Sequence, residues 1–205
     1  MATIKVPNPV SLKPLLYFAC LLVLLGLSRY LPLDYPQLFN FTPALAIFLI
    51  SGAYLKGHLA WITPIFSVIL TDFALSHNYG HALFEPFMLV TLLSYSLIFC
   101  YGKYIKANGN LLSTALHGAM AALVFHLITC LFAWWVNPAY TKSLTGLFHA
   151  TIFGEPGYAP AYLFLRNSIL STVLFATLLA FSAKRYFLPK IQLAHSLTPG
   201  TGNAS

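Results

Sequence analysis

Residues 111–136 read LLSTALHGAMAALVFHLITCLFAWWV. The run contains no Asp, Glu, Lys, Arg or Pro. At 1.5 Å per residue a helix of this length rises about 39 Å, more than the ~30 Å hydrocarbon core of a bilayer. The stretch therefore predicts a membrane-spanning helix long enough to tilt. Trp134 and Trp135 close it, as expected of aromatic anchors at the headgroup level. Ala115, Gly118, Ala119, Ala121 and Ala122 leave room for a second helix to pack closely.

Five more apolar runs flank it, at residues 15–31, 38–55, 59–76, 86–101 and 159–183. The first is closed by Pro32, and the second is interrupted early by Pro43. No small-x-small cleavage pattern follows the first run, which is read as a retained helix. Of 205 residues, 59% are hydrophobic and only 7% charged, whereas soluble domains carry about 25% charged residues. The alternation of a membrane barrel is absent. These observations predict an all-α integral membrane protein with six transmembrane helices. Residues 1–190 form a single domain on this reading, and residues 191–205 a flexible tail.

Basic residues orient the bundle. With the N-terminus inside, Lys5, Lys13, Lys56, Lys103, Lys106, Lys184, Arg185 and Lys190 are cytoplasmic. Arg29, Lys142 and Arg166 fall toward the outer side, with Asp34, Glu85 and Glu155. This positive-inside bias predicts both termini in the cytoplasm. The net charge of +7 comes from basic residues scattered singly between apolar runs, so nucleic acid is not expected as a partner. Cys20, Cys100 and Cys130 lie inside apolar runs without zinc or redox spacing and read as small buried hydrophobes.

The longer connections, residues 32–37, 77–85 and 137–158, are on the outer side, and chemistry is expected there. Asp72 lies about four residues from the outer end of the third run, roughly 6 Å below it. A carboxylate at that depth costs on the order of 3 kcal/mol unless partnered. Arg166 and Arg29 are the candidate partners, either beneath an outward-facing cavity or as an ion pair that staples helices. His77 and His81 are spaced i, i+4 with Glu85 four further on, a spacing that suits metal ligation on a helical face. The intervening Asn78-Tyr79-Gly80 reads as a turn that would break that face. No metal site made by the protein alone is expected. Asn40, Trp134, Asn137, Tyr140, Lys142, His149 and Asn167 complete the outer candidates; Trp134 can anchor the helix or wall a flat ligand. His117 and His126, inside the fifth run, are expected to face other helices. Walker, His-Glu-x-x-His and Gly-x-Ser-x-Gly patterns are absent, so the chain does not itself resemble an ATPase.

Asn40-Phe41-Thr42-Pro43, Gly52-Ala53-Tyr54, Leu70-Thr71-Asp72, Phe132-Ala133-Trp134, the stretch from Tyr140 to Leu147 and Phe164-Leu165-Arg166-Asn167 resemble, in order, an uncharacterised family of bacterial membrane proteins. That family is similar in layout to the S components of energy-coupling-factor (ECF) vitamin transporters, nearest to the small cobalamin-type ones. The resemblance implies an S-component-like six-helix bundle in the bacterial inner membrane, in contact with lipid. It implies a vitamin or related cofactor as ligand, with cobalamin or another corrinoid the best candidate. Asn40, Asp72, His77, His81, Trp134, Tyr140, Lys142, Arg166 and Asn167 would be the ligand-binding residues, with His77 or His81 a ligand to a substrate's cobalt. An ECF-type ATPase module would be the partner. One departure is that Ala19 is followed four positions on by Val23, where S components carry a second alanine of a docking motif. The alternatives are a membrane enzyme using Asp72, His77, His81, His149 and Glu155 as acid–base groups, or a structural or assembly subunit.

Overall fold

The computed structural model describes residues 20, 23–55, 59–79, 86–105 and 109–196, and no strand occurs among them. Helical residues 23–28 form α1. The short α2 (Leu31–Asp34) and a 3-10 turn (Pro36–Leu38) follow. Then come α3 (Ala44–Tyr54), α4 (Leu59–Tyr79), α5 (Pro86–Gly102), α6 (Leu111–Val136), α7 (Leu144–Ile152) and α8 (Ala161–Ser196). Two helices, α6 and the Ala161–Lys184 part of α8, are long and apolar enough to cross a membrane; α3, α5 and the Ala60–Phe73 part of α4 are shorter apolar helices.

The bundle is built around α3. Residues 44–52 are all buried, and α3 packs on α5, α8, α6 and α4. An eleven-residue helix has no amphipathic stripe when every face meets another helix. Its closest neighbour is α5, where Gly52 and Gly102 face each other: a Cβ added to Gly52 would lie 2.1 Å from the Phe99 carbonyl oxygen. Phe48, Tyr95 and Phe125 stack in sequence across α3, α5 and α6, with centroids 4.8 and 5.3 Å apart.

The outer faces reverse the soluble pattern. On α6, Leu112, Leu116, Met120, Leu123, Leu127, Leu131 and Trp135 are all exposed, at steps of three and four that make one continuous stripe. Leu170, Leu174, Leu178 and Phe181 do the same on α8. Meanwhile Ser51, Ser94, Thr114, Thr129, Ser168 and Ser171 are buried, and the hydroxyls of Ser94 and Thr129 bond back to carbonyls of their own helices. Apolar patches of this extent mark a surface that contacts something other than water.

Three elements differ from the sequence expectation. The apolar run 38–55 is helical only from Ala44; Asn40 has φ 62° and Pro43 precedes the first helical residue. Helix α4 continues through His77, Asn78 and Tyr79, where a turn was expected. The connection 137–158 holds a helix, α7, capped at its N-terminus by Ser143, whose Oγ accepts from the Gly146 amide at 3.1 Å. Gly154, at φ 75°, follows its C-terminus in the left-handed conformation that favours glycine. Beyond Lys190 the backbone stays helical to Ser196, and residues 197–205 lie outside the described residues.

Candidate functional site

A cavity of about 610 Å³ lies at one end of the bundle, between α1, the 39–42 turn, α4, α5, α6, α7 and the start of α8. The N-termini of α3, α5 and α8 and the C-terminal halves of α4 and α6 meet there. The connection between α5 and α6, which carries Lys103 and Gly109, lies at the other end, where Lys184 of α8 donates to the Gly109 carbonyl.

On one side of the cavity Arg29, in the turn after α1, forms an ion pair with Asp72 of α4. Both side chains are largely enclosed, at 18% and 24% exposed. Arg29 Nε is buried without a hydrogen-bond partner. The sequence left Asp72 with two possible partners, and packing selects Arg29. Arg166 is exposed and donates to its neighbour, Asn167 Oδ1, at 3.1 Å.

On the other side the chain turning out of α7 brings in Glu155, whose Oε2 accepts from Asn137 Nδ2 at 2.8 Å. Tyr140 is buried beside it, and its hydroxyl is held above the ordinary value of 10.0 by burial first and by the Glu155 charge second. His126 lies one helix in. Its Nε2 is 3.0 Å from the Thr151 carbonyl, which only accepts, so Nε2 carries the proton. Cys130, one turn on, places its sulfur 3.6 Å from the same nitrogen. Phe39, Phe87, Phe125 and Phe164 contribute aromatic wall between the two polar sides.

Of the residues expected from sequence, Asn40, Asp72 and Tyr140 line the cavity. Trp134 and Lys142 build a strut beside it: Trp134 Nε1 donates to the Thr141 carbonyl at 2.9 Å, Lys142 Nζ donates to the Asn137 carbonyl at 2.8 Å and sits over the indole. Asn167 is buried, and its amide donates to the Gln37 and Phe39 carbonyls at 2.8 and 2.9 Å, which holds the non-helical turn against α8. His77 lies on α4, but its side chain, like all of His81, falls outside the described residues. His117 is far from the cavity, bonded to the Tyr101 hydroxyl at 2.5 Å. Sequence reasoning missed Tyr95 and Phe125, and placed Glu155 and His126 only in other roles. No group of three or more His, Cys, Asp or Glu able to hold a metal occurs among the described residues.

Fold and site together define an all-helical protein with a lipid-like apolar exterior and an internal, aromatic-walled pocket. The chain belongs to DUF6580, a family of unknown function, whose match covers residues 11–191. No curated protein and no solved structure matches it.

Proposed function

We propose that this protein is a substrate-binding membrane subunit that takes up a vitamin-like small molecule from the outer side of the bacterial inner membrane. The cavity carries this reading. Its volume of about 610 Å³ falls in the ~300–1,000 Å³ range of pockets that enclose small ligands, and its exposed wall is mainly apolar with polar side chains converging on it, as in such pockets. The exposed leucine stripes supply the lipid-facing surface, and the six-span, N-in topology puts Lys103 and Lys184 on the cytoplasmic side and the cavity opposite. The mouth is bordered by exposed Tyr158 and Ala159, in the connection assigned to the outer side.

The S-component resemblance supplies the transport reading and an ECF-type ATPase module as partner. Within it, a ligand that fits inside the cavity is favoured over a whole corrinoid. Cobalamin would have to leave much of its bulk outside the mouth, and cobalt ligation would fall to His77 or His81.

Native mass spectrometry of the protein purified from membranes should show a co-purified small molecule. Expression in strains deficient in uptake of single vitamins, with an energising module supplied, should rescue growth on one of them. Absence of any bound molecule together with no rescue across the vitamins would refute the proposal.

One observation favours a second reading, a membrane enzyme: His126, Cys130, Tyr140 and Glu155 all border the same cavity. An enzyme would lose turnover in His126→Gln while retaining its ligand, whereas a binding subunit has no turnover to lose.

A further inference from the structure

We infer that the cavity selects a planar aromatic ligand bearing a positively charged nitrogen group with N–H donors, with Glu155 as its counter-charge. The inference deepens the binding reading above and rests on it.

The argument begins with charge. Among the described lining residues the formally charged groups are Arg29, Asp72 and Glu155. Arg29 and Asp72 neutralise each other in a direct ion pair. The carboxylate of Glu155 is left with a neutral partner, Asn137 Nδ2. The nearby Lys142 does not line the cavity; its ammonium is bonded to the carbonyls of Trp134 and Asn137. His126, counted neutral, is bonded to a neutral carbonyl. With no ligand bound, the lining therefore carries one negative charge in excess.

The second strand is the wall. Glu155 is half-buried at the cavity mouth, and a charge held partly out of water beside apolar wall gains from an incoming opposite charge. Phe39, Phe87, Phe125 and Phe164 line the cavity together with Tyr95, whose own ring is stacked between Phe48 and Phe125. Aromatic faces attract cations and stack on flat rings. An anionic ligand would find Arg29, the one cationic side chain among the described lining residues, already paired with Asp72, and would meet Glu155. A flat amidinium-type or ring-nitrogen cation satisfies both the carboxylate and the rings.

The test uses three near-isosteric, water-soluble probes of different charge: benzamidine, benzamide and benzoate. Their affinities for the full-length protein in nanodiscs are measured by calorimetry, for wild type and for Glu155→Gln. The variant retains an acceptor for Asn137 and so keeps the loop contact. Wild type should bind benzamidine roughly ten-fold or more tighter than benzamide, the size of one charge-assisted hydrogen bond. Benzoate should be weakest, and Glu155→Gln should level benzamidine with benzamide. Glu155→Asp, which keeps the charge, should retain the preference.

If benzoate binds best, or if the preference for benzamidine survives Glu155→Gln, the inference is overturned. If all three probes bind alike, charge selection fails while the cavity remains a ligand site. If none binds, the inference fails and the binding reading loses its main support with it.

Discussion

The contact between α3 and α5 can be tested by one added methyl group. At Gly52 a Cβ falls 2.1 Å from the Phe99 carbonyl oxygen, and at Gly102 it falls 2.2 Å from the Leu49 carbonyl oxygen. Ordinary contact begins at 3.4 Å, so moving from 2.1 Å requires the helices to part by about 1.3 Å. The obstacle is backbone, which cannot rotate away as a side chain can. Helix α3 cannot retreat freely either, because α8, α6 and α4 close its other sides. Overpacking costs about 1–3 kcal/mol in well-packed interiors, and Gly52→Ala belongs at the upper end, about 3 kcal/mol.

Two other glycines calibrate the scale. At Gly118 the nearest atom is the Thr172 carbonyl oxygen at 3.3 Å. That mild crowding is offset by the ~1 kcal/mol gained when alanine replaces glycine in a helix, so Gly118→Ala should stay within about 1 kcal/mol of wild type. At Gly26 the nearest atom is Thr71 Cγ2 at 3.7 Å, and alanine should be neutral or slightly stabilising. Unfolding in bicelles by titrated SDS, followed by tryptophan fluorescence, gives each value. The Gly52→Ala/Gly102→Ala double variant should cost well below the sum of the singles, because one separation relieves both clashes. A Gly52→Ala protein as stable as Gly26→Ala would refute the backbone contact.

Removing one partner of the enclosed Arg29–Asp72 pair leaves the other uncompensated, so Arg29→Gln and Asp72→Asn should each destabilise by roughly 3 kcal/mol. The double variant should recover part of that loss in the same unfolding assay; additive losses would mean the two residues are not paired. Asn167→Ala strips the Gln37 and Phe39 carbonyls of a shared donor, a cost of about 1–3 kcal/mol, and hydrogen exchange should rise in the amides of the following turn, around Phe39–Phe41, more than in α6. Tyr140 should ionise above 10.0. Above that pH the unfolded chain releases the proton while the folded chain keeps it, so the Tyr140 contribution to stability falls as pH rises through the alkaline range. A tyrosinate difference spectrum of wild type against Tyr140→Phe measures this, and Glu155→Gln should move the transition toward the ordinary value.

Helix α6 is legible in sequence from end to end. The uncharged run begins after Asn110, whose side chain accepts from the Ser113 amide, and the observed helix has the same bounds as the run. The 38–55 run misleads because hydropathy reports what a residue touches rather than its backbone conformation. Phe39, Asn40 and Thr42 border the cavity, so apolar residues continue past the point where the helix stops. Pro43 was the available clue. Helix α7 was hidden in a loop rich in Gly and Pro, although Ser143 three residues before Gly146 is an N-cap arrangement.

For the site, the cost of a deep carboxylate made Asp72 legible as a residue that needs a partner. Choosing between Arg29 and Arg166 needed the packing of α1 against α4, which no spacing within the chain encodes. Tyr95 and Phe125 were invisible for a related reason. An aromatic residue in mid-helix has the same pattern whether it fills a core or walls a pocket, and only the assembled bundle distinguishes the two.

The shortness of α3 has an electrical consequence. Eleven residues rise about 16 Å, roughly half of a ~30 Å hydrocarbon core. The cavity borders the chain just ahead of the first residue of α3, so if the proposed ligand binds there with this end of the bundle outward, α3 would be the main insulator beneath it. A water-accessible cavity above it would compress the transmembrane voltage into that half-thickness. A singly charged ligand carried across the whole drop exchanges about 2.3 kcal/mol per 100 mV with the field. On the proposed orientation, a cation moving into a compartment that is negative inside would gain that work, most of it over the length of one short helix.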